Sequence, residues 1–147
     1  MTTGLTFRNV KVEITVDGGS NWVNVSGQTN SLVPSGADRE IGEFYDAVND
    51  NPTLGAGKLG RHSLTLRVKY TESDAEAWGV LYAAKEAATE TMVRWSPKGS
   101  NSGDWLFTSD AGYVKSCPLP GQDVQSGDPM RAEIGIDVSA VTKSVVA

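Results

Sequence analysis

Arg61-His62-Ser63-Leu64-Thr65-Leu66-Arg67-Val68-Lys69-Tyr70 runs through Thr71-Glu72 into Ser73-Asp74-Ala75-Glu76. Leu64, Leu66, Val68 and Tyr70 alternate with Ser63, Thr65, Arg67 and Lys69, the period-two pattern of a strand with one buried face. Ser73 and Glu76 have the spacing of a capping box and predict a helix from Ser73 to about Ala87 or Ala88. Ala77, Trp78, Leu81, Ala84 and Ala88 fall on one face of that helix. Asp74 and Glu76 at its start and Lys85 near its end suit the macrodipole. Gly79, unfavourable in a helix interior by about 1 kcal/mol relative to Ala, is expected to permit close packing on a sheet.

Strand patterns recur on both sides of this unit. Val10, Val12, Ile14 and Val16 alternate with Asn9, Lys11, Glu13 and Thr15, predicting a strand over Phe7–Val16. Asp17-Gly18-Gly19-Ser20-Asn21 supplies turn chemistry, and Trp22–Val25 a short return strand. Thr91–Trp95 and Asp104–Thr108 read as a second hairpin, with a turn or bulge at Asp110-Ala111-Gly112 before a strand over Tyr113–Cys117. After a Pro/Gly/Asp loop from Pro118 to Pro129, Ala132, Ile134, Ile136 and Val138 form the inward face of a strand over Arg131–Ser139. Residues 140–147 are a tail, expected to fray or dock. The expectation is one domain spanning 1–147, mainly β, an antiparallel β-sandwich or open barrel of six or seven strands with one helix packed on it.

Residues 26–60 break the pattern. So long a connection in a small domain points to function or disorder. Between Ser31 and Gly60 there are five acids (Asp38, Glu40, Glu43, Asp46, Asp50) and two bases (Arg39, Lys58), a net of −3 out of −5 for the chain. The segment also holds Ile41, Phe44, Tyr45, Val48 and Leu54, and burying each such side chain contributes roughly 1.5–3 kcal/mol. It reads as an arm that buries its apolar side against something else and gains its order on doing so.

Composition narrows the function. Thirteen Lys and Arg against eighteen Asp and Glu in 147 residues argue against tight sequence-independent DNA binding. No apolar run approaches a membrane span, and the N-terminus lacks the pattern of a signal peptide. One cysteine, Cys117, forms no internal disulfide, and a single histidine, His62, removes most metal and triad chemistry. Gly55-Ala56-Gly57-Lys58-Leu59-Gly60 matches G-x-G-x-x-G, but a dinucleotide site needs a strand before and a helix after it, so a hairpin stem is the better reading. His62 and Ser63 are strand neighbours pointing to opposite faces. Asp46–Asn51 lacks the glycine and terminal glutamate of an EF loop and reads as Asx-turn chemistry. Trp22, Trp95 and Trp105 are core tryptophans by default, with a sugar platform as the alternative. No enzyme, cofactor or metal is expected.

The order of these features resembles the major tail tube protein of long-tailed, lambda-like bacteriophages (siphoviruses), within the tail-tube and type VI secretion-tube superfamily. The resemblance rests on the arm ending Asp50-Asn51-Pro52-Thr53-Leu54-Gly55, the strand Ser63–Tyr70 leading into the helix, Arg94-Trp95-Ser96-Pro97-Lys98-Gly99 closing a strand, and Ser126-Gly127-Asp128-Pro129 opening the last one. It covers roughly Asn21 to Thr142. It implies a structural virion protein forming homo-hexameric rings, stacked into a tube through which genome DNA is ejected. Tape-measure, tail-tip and terminator proteins are the implied partners, with assembly in the bacterial host cytoplasm and no membrane. Each subunit would give about four strands to an inner barrel of about 24, with a backbone diameter near ~48 Å at ~4.8 Å spacing and ~40° tilt. Ile41, Phe44, Tyr45 and Leu54 become the inter-subunit stacking anchors. Lys11, Glu13, Thr65, Arg67, Glu133 and Asp137 become lumen candidates, and an acidic lining is expected to repel passing DNA. The alternative reading is a monomeric β-sandwich binding module of a phage tail, holding carbohydrate as an adhesin does.

Overall fold

The computed structural model describes residues 9–119 and 127–147, so Phe7 and most of the loop after Pro118 lie outside it. Among the described residues there are eleven strands and one helix. In chain order they are β1 (Lys11–Thr15), β2 (Val23–Asn24), β3 (Thr29–Gly36), β4 (Arg39–Phe44), β5 (Thr53–Leu59), β6 (His62–Lys69), α1 (Ala77–Ala87), β7 (Met92–Ser96), β8 (Trp105–Ser109), β9 (Gly112–Ser116), β10 (Arg131–Val138) and β11 (Val141–Val145). All strand pairs are antiparallel.

Two sheets enclose the core. One has the order β11-β8-β7-β1-β2 and the other β3-β6-β10-β9. Val12, Ile14, Val93 and Trp95 face Leu64, Leu66, Val68, Ile134, Ile136 and Val138 in one buried cluster. The alternation read from β6 and β10 holds: every second side chain of each is buried, and Ile134 lies directly across from Leu66. At the turn after β8 the chain changes sheets, and a bridge between Thr91 and Gly112 ties the two together.

The helix begins later than the capping-box spacing implies. Ala77 is its first residue, and Glu76, at the N-cap, makes no capping bond. The Glu76 carboxylate instead accepts from the Thr71 hydroxyl (2.8 Å), while Ser73–Glu76 closes a separate turn through Glu76 N–H and the Ser73 carbonyl. That turn explains Gly79: a Cβ there would lie 2.5 Å from the Ser73 carbonyl oxygen. Gly79 accommodates its own leader segment and not the sheet. Ala77, Leu81 and Ala84 bury the helix, Ala88 is exposed as its left-handed C-cap, and Trp78 stacks between Tyr82 and the edge of Tyr70.

One segment differs from expectation. Residues 26–60 are structured: β3 pairs with β6 along its whole length, and β4 and β5 form a separate two-stranded hairpin. The C-terminal tail docks, one of the two alternatives expected of it: β11 pairs with β8 from Val141↔Ser109 to Val145↔Trp105.

Candidate assembly surfaces

The hairpin leaves the body at a sharp joint. Gly36 (φ 86°) and Ala37 (φ 60°) turn the chain from β3 into β4. A Cβ on Gly36 would lie 2.5 Å from the Arg61 carbonyl oxygen, which accepts the Ala37 N–H at 2.8 Å. Beyond this joint every residue of β4 and β5 is exposed. Ile41, Glu43, Leu54 and Ala56 share one face, with Ile41 opposite Ala56 and Glu43 opposite Leu54. Phe44 is on the other face, opposite Thr53, and Tyr45 begins the tip. The sequence-derived anchors are thus brought together on one element but split between its two sides. Phe44 is 69% and Leu54 64% exposed, a surface that water solvates at a cost. Val48 near the tip and Leu59 near the base, of which only Val48 was singled out from sequence, are exposed on the same hairpin.

The hairpin's conformation is set by its own chemistry. The Arg39 guanidinium donates to the Gly57 carbonyl (2.7 Å) across a bulge at Glu40. At the tip, the Asp46 carboxylate accepts from the Asn49 and Val48 backbone N–H groups and the Asn49 side chain, which lowers its pKa. This is the Asx turn expected of Asp46–Asn51, and the glycine-rich run forms β5. A strand, not a helix, follows that run.

The outward face of the four-stranded sheet collects four of the six lumen candidates. Arg67 forms an ion pair with Glu133 on the neighbouring strand. Thr65 is opposite Gly135, and Asp137 accepts from Ser63 (2.9 Å) and lies 3.6 Å from Arg61. Lys11 and Glu13 are elsewhere, on the outward face of the five-stranded sheet. There Arg94 donates two hydrogen bonds to the Glu13 carboxylate (3.0 and 3.2 Å), beside Lys11 at 3.7 Å, and its guanidinium covers Trp22 at 4.1 Å. One lining built from all six is therefore incompatible with the fold. Nor is the four-stranded face acidic: Arg67, Lys69 and Arg131 stand against Glu133 and Asp137. The hairpin carries −3 of the chain's net −5, while the sheet carboxylates of Glu13, Glu133 and Asp137 are matched by Arg94, Arg67 and Arg61.

The other candidate groups take their bland roles. Trp95 is 8% exposed and stacked on Phe107, Trp22 is under Arg94, and Trp105 is under Lys143 at 3.6 Å, so the three do not converge into a sugar platform. His62 faces the inter-sheet rim with Pro34, Trp95 and Phe107, opposite in direction to Ser63. Cys117 is buried, and burial pushes its thiol up to about 11 against an opposing pull from Lys85. No group of three or more potential metal ligands occurs among the described residues, and no helix among them is long and apolar enough to cross a membrane.

This architecture, two packed antiparallel sheets with a flanking helix and a projecting hairpin, is the fold of tail-tube proteins. No family model matches the sequence, and no curated protein matches it. Solved structures do. A chain of the anti-feeding prophage baseplate superposes with a TM-score of 0.74 at 12% identity, covering 99% of both chains. The SPP1 tail tube gives 0.72 at 12% identity, over 97% of this chain and 80% of that one. A chain of the extended sheath–tube complex of an extracellular contractile injection system gives 0.71 at 17% identity, over 97% and 93%.

Proposed function

We propose that this chain is a structural, non-catalytic subunit of a tail tube, assembling into stacked hexameric rings. The observation that carries the proposal is the projecting hairpin: an apolar two-sided element on a tail-tube fold, left uncovered by the described residues of its own protomer. Six-fold order is supported by two similar structures, one described as 6-fold symmetrised and the other, the tail of an empty GTA particle, as having C6 symmetry. The four-stranded sheet suits the inner barrel. Among the described residues its edges, β3 and β9, have no further strand beside them, and closure of six copies would pair them.

In this reading the outward face of β3-β6-β10-β9 lines the lumen. Over its middle, Arg67–Glu133 and Arg61–Asp137–Ser63 satisfy one another, so along that stretch a polyanion such as genome DNA meets paired cations. Passage follows from internal pairing instead of net repulsion. The tube would be part of a phage-type virion tail, with tape-measure, tip and terminator proteins as partners and assembly in the bacterial cytoplasm.

Sedimentation of the purified protein over a range of concentrations tests this. Wild type is expected to pass from a small species to rings and longer particles. Phe44→Ser combined with Tyr45→Ser is expected to stay folded and stop short of stacking. Unchanged particle length in the double variant would count against the hairpin's role.

A further inference from the structure

We propose that the end of the four-stranded sheet farthest from the hairpin is the receptor for the hairpin of the next copy of this chain. The proposal rests on the stacking reading above and adds the residues of the receiving surface. The ladder between β3 and β6 runs from Gly36↔His62, where the hairpin leaves, to Thr29↔Val68 at the opposite end. Head-to-tail repetition of one subunit joins two different patches, so the projecting end of one copy meets the far end of another.

That far end is built to be met by something acidic. Lys69 lies directly across the ladder from Arg131, a juxtaposition of like charges that destabilises an isolated sheet. Asp128 offsets Arg131 at 3.2 Å, but the Lys69 ammonium has no carboxylate partner among the described residues. Beside these cations runs a groove of about 310 Å³ lined by Gln28, Thr29, Lys69, Met130 and Arg131 among others. The Gln28 side-chain oxygen is buried there with no donor among the described residues. The hairpin supplies the complement: a net charge of −3, with Glu43 and Asp50 exposed and unpaired among the described residues, and Asn51 and backbone N–H groups at the tip as donors.

Lys69→Glu separates assembly from folding. The new carboxylate faces Arg131 across the ladder, so the variant is expected to melt no lower than wild type. The concentration needed for half-assembly into pelletable particles is expected to rise about tenfold, and raised salt to weaken wild type in the same direction. Adding Glu43→Lys or Asp50→Lys to Lys69→Glu is expected to recover assembly to within about threefold. Wild type that forms tubes while Lys69→Glu assembles equally well, or is rescued by neither hairpin change, would overturn the receptor and leave the tube reading standing. Wild type that never forms particles would overturn the tube reading and this one with it.

Discussion

Ala88 closes the helix in a conformation that a side chain disfavours, at φ 52° and ψ 42°, with its N–H bonded back to Lys85. Glycine pays no Cβ cost there, so Ala88→Gly is expected to stabilise the protein by about 0.5–1 kcal/mol, read from urea unfolding. Gly79→Ala should do the reverse, because the added methyl strikes the Ser73 carbonyl. We expect a loss of about 1–3 kcal/mol despite the better helix propensity of alanine. Asp17 gives a pH prediction. Its carboxyl is drawn from 3.8 to about 2, chiefly by the Thr15 hydroxyl and then by Asn21. A depressed native pKa contributes stability that is present above the ordinary value and lost as pH falls through about 2. Melting temperature should therefore decline over that acid window, and less so in Asp17→Asn. At this scale the sequence told which residues were unusual but not always why. Gly79 was visible as a helix-interior glycine, yet the partner that demands it, the Ser73 carbonyl, follows only from where the preceding turn lands.

The strands of the body could be read because each buries alternate side chains; β4 and β5 could not, for the same reason. All thirteen of their residues are exposed in the protomer, so no period-two burial marks them, and the apolar residues there signalled only a missing partner. β3 hid behind Pro34 and its single buried residue, Leu32. β11 hid because only Val141 packs toward the core while the rest of the strand is exposed. A hairpin that takes no part in the core should be dispensable for folding. Replacing residues 38–60 by a short Gly/Ser linker between Ala37 and Arg61 is expected to leave cooperative unfolding intact, with a midpoint shift equivalent to about 1 kcal/mol or less, and to abolish higher-order particles. A body that fails to fold without the hairpin would show that the element is structural and not a coupling arm.

For the whole molecule, the fold class was legible in the sequence, and the pairing of the sheet carboxylates was not. Net charge suggested an acidic lumen, whereas −3 of the net −5 is on the hairpin and the carboxylates of Glu133 and Asp137 are paired through Arg67 and Arg61. Lys11 and Glu13 could not be separated from Thr65, Arg67, Glu133 and Asp137 by alternation alone, because both sheets carry one polar face. Tube formation is the claim from which the rest descends. Negative-stain electron microscopy of the purified protein, dilute and concentrated, with and without tail-tip proteins, tests it most directly. Six-fold rings and hollow tubes with a lumen of less than ~40 Å across are expected. Uniform monomers under every one of these conditions would contradict it.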